Sequence, residues 1–163
     1  MNNLYLRVLK SLVDAGVRPL IAGGVAASLY GSERVTFDLD LIIALEKDVL
    51  SRALQCLIAE GFVLRLPVTL EQASDPQQLR EWAANRNLIE LTLVNPDTGL
   101  EVGFLIPPAE SFPEYADRAE AYQLGTVGVE VVSLPDLIAM KRRAGRPKDI
   151  EDVAVLERFL RQG

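Results

Sequence analysis

Apolar residues recur along this chain at two spacings, and each spacing predicts a kind of element. Leu4, Leu9, Leu12 and Val13 fall near helical spacing and predict a helix over 3–15, stopped by Gly16. The run at 18–22 predicts a short buried strand, and the small residues at 24–30 predict a helix able to press onto a sheet. A strand is predicted at 35–45, with Leu39, Leu41 and Ile43 facing the core and Asp38 and Asp40 facing the other way. Leu50, Leu54, Leu57 and Ile58 mark a helix over 48–60, and a strand candidate follows at 62–66. Ser74-Asp75-Pro76 starts a helix over 76–87 that carries the only tryptophan, Trp82. Apolar runs at 88–94 and 100–106 flank Asn95-Pro96-Asp97-Thr98-Gly99, whose turn residues predict a hairpin. Beyond a stiff connector at Pro107-Pro108, a strand at 127–132 and helices at 134–144 and 148–160 close the chain.

These elements predict one α/β (α+β) domain over 1–163, without internal repeat or linker. Its sheet is mixed and mostly antiparallel, packed by helices, with a core at about 18–106 and a closing helical segment at about 133–161. A hydrophobic fraction of 49% and a charged fraction of 25% are ordinary for a globular protein. The start lacks the order of a secretion signal, and no apolar run is long enough for a membrane span. The expectation is therefore a cytoplasmic protein with no membrane partner.

Two absences narrow the chemistry. There is no histidine, which excludes Ser–His catalysis and His-ligated zinc. The single Cys56 excludes an internal disulfide and a cysteine metal cluster. A net charge of −6 disfavours indiscriminate binding to long nucleic acids, though a small basic patch could still grip a triphosphate or one RNA end.

Candidate chemistry sits in the first third. Gly23-Gly24 falls where a strand passes into a helix, a junction whose exposed N–H groups can cradle phosphate. After thirteen intervening residues come Asp38 and Asp40, separated by one residue on a strand and so on one face. Alternating aspartates alone fit the wet face of a sheet. Joined to the glycine junction and a later strand acid, they fit a divalent cation site for magnesium or manganese. Glu101, in LEVGFLI, is the best third acid if its strand pairs beside theirs. Lys141, Arg142, Arg143, Arg146 and Lys148 form the densest positive run. That run suits a phosphate clamp, and equally a helix end decorated with favourable charge. Arg34 is either an exposed turn residue or a substrate contact.

GGVAASLYGSERVTFDLDLII, with its Gly-Gly, its Arg34-x-Thr36 and its Asp-Leu-Asp, resembles the polymerase-beta-like nucleotidyltransferase superfamily. It is similar above all to that superfamily's bacterial minimal branch, which includes abortive-infection toxin-type members. LPDLIAMKRRAGRPKDIEDVAVL resembles the branch's closing helical segment, so the likeness runs from Arg18 to Leu156 but matches nothing at 62–87. The resemblance implies a nucleotidyltransferase-like fold and transfer of a nucleoside monophosphate from a nucleoside triphosphate to an acceptor. That acceptor would be an RNA end, a protein or a small molecule. By the same resemblance Gly23, Gly24, Arg34 and Lys141 would bind nucleotide, and Asp38, Asp40 and Glu101 would be catalytic and hold Mg2+ or Mn2+. The superfamily often has Asp in the third position, and its glycine motifs often carry Ser where this chain has Gly24. One alternative is a non-catalytic nucleotide- or partner-binding module of the same fold, and a further alternative is an inactive member of a toxin–antitoxin pair with a cognate antitoxin protein.

Overall fold

The computed structural model describes residues 3–106 and 111–163. The chain runs α1 (Asn3–Asp14), β1 (Leu20–Ala22), α2 (Gly23–Leu29), β2 (Asp38–Ile42), α3 (Lys47–Ala59), β3 (Val63–Leu64), α4 (Leu70–Ala73) and α5 (Pro76–Arg86). It continues through β4 (Glu90–Val94), β5 (Glu101–Leu105), α6 (Phe112–Arg118), β6 (Glu120–Leu124), β7 (Val127–Val131), α7 (Leu134–Ala144) and α8 (Pro147–Gln162). The connector expected at Pro107-Pro108 lies outside the described residues.

The strands form a single sheet in the order β3-β4-β5-β2-β1-β7-β6. Four of its six pairings are antiparallel, while β1–β7 and β2–β5 are parallel. The β4–β5 hairpin forms where its turn residues predict it. The Asn95 side-chain oxygen accepts from the backbone N–H groups of Asp97 and Thr98 at 3.1 and 3.0 Å, folding the connection on itself. That hairpin lays β5 alongside β2, with Asp38 opposite Glu101 and Asp40 opposite Gly103. Pairing residues share a face, so alternation assigns the two sides of the sheet. Leu39, Leu41, Val102, Phe104, Leu91 and Leu93 lie on one side, all buried. Asp38, Asp40, Glu101, Gly103, Thr92 and Glu90 lie on the other.

Helix α1 buries Tyr5, Val8, Leu9 and Leu12, the stripe its spacing predicts, and packs on α3. Helix α2 packs on β1 and β2 and touches α7, and α7 in turn packs on α8. The break between the last two helices is local chemistry. Gly145 ends α7 in the left-handed conformation at φ 64°, and Pro147 opens α8.

Beyond shifts of a residue or two at element ends, the structure departs from expectation in three places. Strand β2 is shorter than 35–45, because Val35 and Phe37 stay 73% and 71% exposed and pair with nothing in the sheet. Helix α4 is a single turn set by a capping box between Thr69 and Gln72. Helix α6 and strand β6 carry weak periodic signals. EAYQL has no buried residue and forms the sheet's edge, so its apolar alternation is faint.

Candidate active site

The glycine junction and the aspartate pair meet at one point. Ala22 pairs with Asp40 across β1 and β2, so the next residue, Gly23, turns directly over the Asp40 carboxylate. Gly23 has φ +60°, and a Cβ there would fall 1.9 Å from Asp40 Oδ2. A Cβ on Gly24 would fall 2.7 Å from Thr36 Oγ1. Both glycines are thus close-approach positions whose missing side chains make room for Asp40 and Thr36. Thr36 comes from the Arg34-x-Thr36 segment. Asp38 is exposed and Asp40 half-buried.

Two further acids stand on the same face. Glu101 meets the pairing condition, being in register with Asp38, but its carboxylate is taken by Arg65 in an ion pair. Glu90 is the other of the two. It stands two residues along β4 from Thr92, which pairs with Gly103. A Cβ on Gly103 would fall 2.5 Å from Glu90 Oε2 and 3.4 Å from Asp40 Oδ1, so both carboxylates lean over that one glycine. Thr92 Oγ1 donates to Glu90 Oε1 at 3.1 Å. Burial, then the charges of Glu90 and Asp38, push the Asp40 carboxyl up to about 7, with Arg146 and Lys141 pulling the other way.

Tyr5 on α1 is a site neighbour with no local signal in the sequence. Its hydroxyl bonds the Phe37 carbonyl, one residue before Asp38, and lies 3.1 Å from the Glu101 carbonyl. Burial, together with Asp38 and Asp40, pushes its pKa up to about 12.

The positive side of the site comes from the closing helices. Lys141 is buried on α7, with Nζ 2.6 Å from Asp152 Oδ2 and 3.7 Å from Asp149 Oδ1. Arg34 Nη1 lies 3.2 Å from the same Asp152 carboxylate and 3.4 Å from the Lys148 carbonyl. The Ser32 hydroxyl adds a weaker contact to Asp152 at 3.5 Å. Both sequence-chosen cations are therefore engaged in a network that staples the loop before β2 to α8. Arg146 is different: it pairs with Asp149 at 2.6 Å, yet its side chain is 58% exposed. Hydrogen bonding to Asp149 first, and further down the charges of Asp40 and Glu90, hold its pKa above the ordinary value. Periodicity gave no reason to prefer Arg146 over its basic neighbours. Its position at the turn between α7 and α8 does.

The donor set is all carboxylate oxygen with one flanking hydroxyl, the chemistry hard divalent cations take. Gly103 leaves a cradle that a Cβ would fill, and the acids beside it are mutually repulsive. These residues fit such a cation. Among the described residues, no three acids already stand in a cation-holding cluster, so binding would draw side chains inward.

No protein-family profile matches the sequence, and no curated protein matches it. The structure is similar to the crystal structure of a Thermotoga maritima protein provisionally named a nucleotidyltransferase. The two superpose with a TM-score of 0.57 at 14% identity, over 100% of this chain and 96% of that one. The fold is nucleotidyltransferase-like. The aligned region spans α1 through α8. Among the described residues, no helix of this nucleotidyltransferase-like chain is long and apolar enough to cross a membrane.

Proposed function

We propose that the protein is a divalent-metal-dependent nucleotidyltransferase, moving a nucleoside monophosphate from a triphosphate to an acceptor. The observation that carries this is the meeting of Gly23 with the Asp40 carboxylate, within a nucleotidyltransferase-like fold. A glycine whose absent side chain is replaced by a carboxylate ties the strand–helix junction to the paired acids, as a shared phosphate and metal site requires.

Asp38 and Asp40 would hold Mg2+ or Mn2+, which when bound neutralises charge on the triphosphate and aligns the oxygens of an in-line displacement. Backbone N–H groups at Gly23 and Gly24 would hold the phosphates, while the room left by their missing side chains brings Asp40 and Thr36 up against the same junction. Arg146 presents the exposed guanidinium to the polyphosphate, a planar group suited to paired contacts with phosphate oxygens. Lys141 and Arg34 act one layer back. Through Asp149 and Asp152 they fix the turn that carries Arg146 and the loop that leads into Asp38. The acceptor is an RNA end, a protein or a small molecule with a free hydroxyl or phosphate.

The test is to incubate the protein with each α-labelled nucleoside triphosphate, magnesium, and cellular RNA or protein. Transfer should occur in the wild type and fall by at least about a hundredfold in Asp38→Ala with its circular dichroism unchanged. Unchanged transfer would remove the aspartates from the reaction.

A second reading is favoured by the Arg65–Glu101 ion pair, which ties up the acid in register with Asp38. On it the protein is a non-catalytic nucleotide- or partner-binding module of the same fold. Nucleotide binding that ignores divalent cations and survives Asp40→Asn would select this reading.

A further inference from the structure

We infer that Glu90, seated over Gly103, is the third carboxylate that this chain turns toward a divalent cation, in place of Glu101. The inference rests on the metal-dependent reading above and deepens it. Three features of the geometry separate the two glutamates.

The first is charge. The Glu101 carboxylate is already paired with Arg65, so a cation would have to displace a guanidinium to use it. Glu90 has no ion-pair partner among the described residues. Its one hydrogen bond is from the Thr92 hydroxyl to Oε1 at 3.1 Å, which leaves Oε2 without one.

The second is room. Strand β5 carries glycine at 103, level with Asp40 on β2 and with Thr92 on β4. Any side chain there would meet Glu90 Oε2 at 2.5 Å and crowd Asp40 Oδ1 at 3.4 Å. Gly103 lies in an ordinary strand and is not needed for a turn, so its lack of a side chain serves the space above it. Over that space β4 and β2, which are not neighbours, bring acids together across the strand between them.

The third is reach. Glu90 is diagonal to Gly103 rather than opposite it, and a glutamate spans that offset where an aspartate would not. The long side chain is what lets an acid on the second strand over reach the Asp40 carboxylate. A cation bridging Asp38, Asp40 and Glu90 would remove the repulsion that this arrangement otherwise carries.

Mn2+ binding to the whole protein, followed by the loss of the free-ion electron paramagnetic resonance signal, tests this without any enzymatic readout. Glu90→Gln keeps shape and removes the charge. It should weaken Mn2+ binding by about tenfold or more, while Glu101→Gln should change it less than about threefold. Gly103→Ala should weaken binding as Glu90→Gln does, and the double variant should lose no more than either single one. Circular dichroism on each variant keeps misfolding apart from loss of a ligand. A large loss in Glu101→Gln with Glu90→Gln like the wild type overturns the assignment. A loss in Asp40→Asn with none in Glu90→Gln leaves the metal reading standing and overturns Glu90 alone. A wild type that takes up no Mn2+, with or without triphosphate, overturns both.

Discussion

Lys141→Met removes one positive charge from a buried network while keeping most of the side chain's volume. Lys141 is 5% exposed, and its partners Asp149 and Asp152 are 1% and 4% exposed. Breaking a buried ion pair from one side costs about 3–5 kcal/mol, because the opposite charge stays behind in a poor solvent. Here that cost is softened. Asp149 keeps Arg146 at 2.6 Å, and Asp152 keeps Arg34 at 3.2 Å and the Ser32 hydroxyl. Both remaining arginines are partly solvated, so they recover part of the loss. The expected destabilisation is about 2–3 kcal/mol, which for a chain of this length lowers Tm by roughly 4–12 °C. Urea unfolding followed by circular dichroism measures it, with the m-value checked for constancy. Lys141→Met combined with Asp152→Leu should recover part of the loss, since the stranded carboxylate is gone. A loss below about 0.5 kcal/mol would refute the reasoning. So would an unchanged stability accompanied by a raised KM for triphosphate, the signature of a direct phosphate ligand.

Three other outcomes follow from the same geometry. The Asp40 carboxyl is raised to about 7 in the fold by burial, Glu90 and Asp38, against an ordinary 3.8 when unfolded. The native state thus binds the extra proton, and stability of the metal-free protein should fall as pH rises from about 4 through 7. In EDTA, the Tm difference between pH 5 and pH 8 should shrink in Asp40→Asn, and an unchanged difference would contradict the shift. Gly23→Ala places a Cβ 1.9 Å from Asp40 Oδ2 at φ +60°, so it should cost on the order of 1–3 kcal/mol by thermal unfolding, and a neutral variant would deny the close approach. Tyr5→Phe removes the hydroxyl bonded to the Phe37 carbonyl and should cost about 1 kcal/mol in urea unfolding, with no loss meaning that the bond contributes nothing.

Much of the fold was legible locally. The stripe on α1, the β4–β5 hairpin and the α7–Gly145–α8 break follow from spacing, turn residues and caps that act within a few positions. So did the shared face of Asp38 and Asp40, since strand alternation is a property of the backbone. Edge strand β6 was not legible, because a solvated edge needs no apolar alternation. For the acids, the same reading marked Glu101 and passed over Glu90, although both stand on alternating strands. Nothing within either segment says that Arg65 will pair with one, or that Gly103 will open room for the other.

The chain's own order of residues settled which side chains share a face, where helices stop, and that carboxylates rather than imidazole must serve any chemistry. Those are consequences of backbone geometry and of which residue types are present. Only the assembled sheet decided which acid keeps its charge uncompensated and which cations are spent on structure. Charge pairing depends on distances between elements far apart in sequence, such as Arg65 with Glu101 and Arg34 with Asp152. Local pattern carries no information about those separations or about how deeply each pair is buried, and the two together set the electrostatic energy.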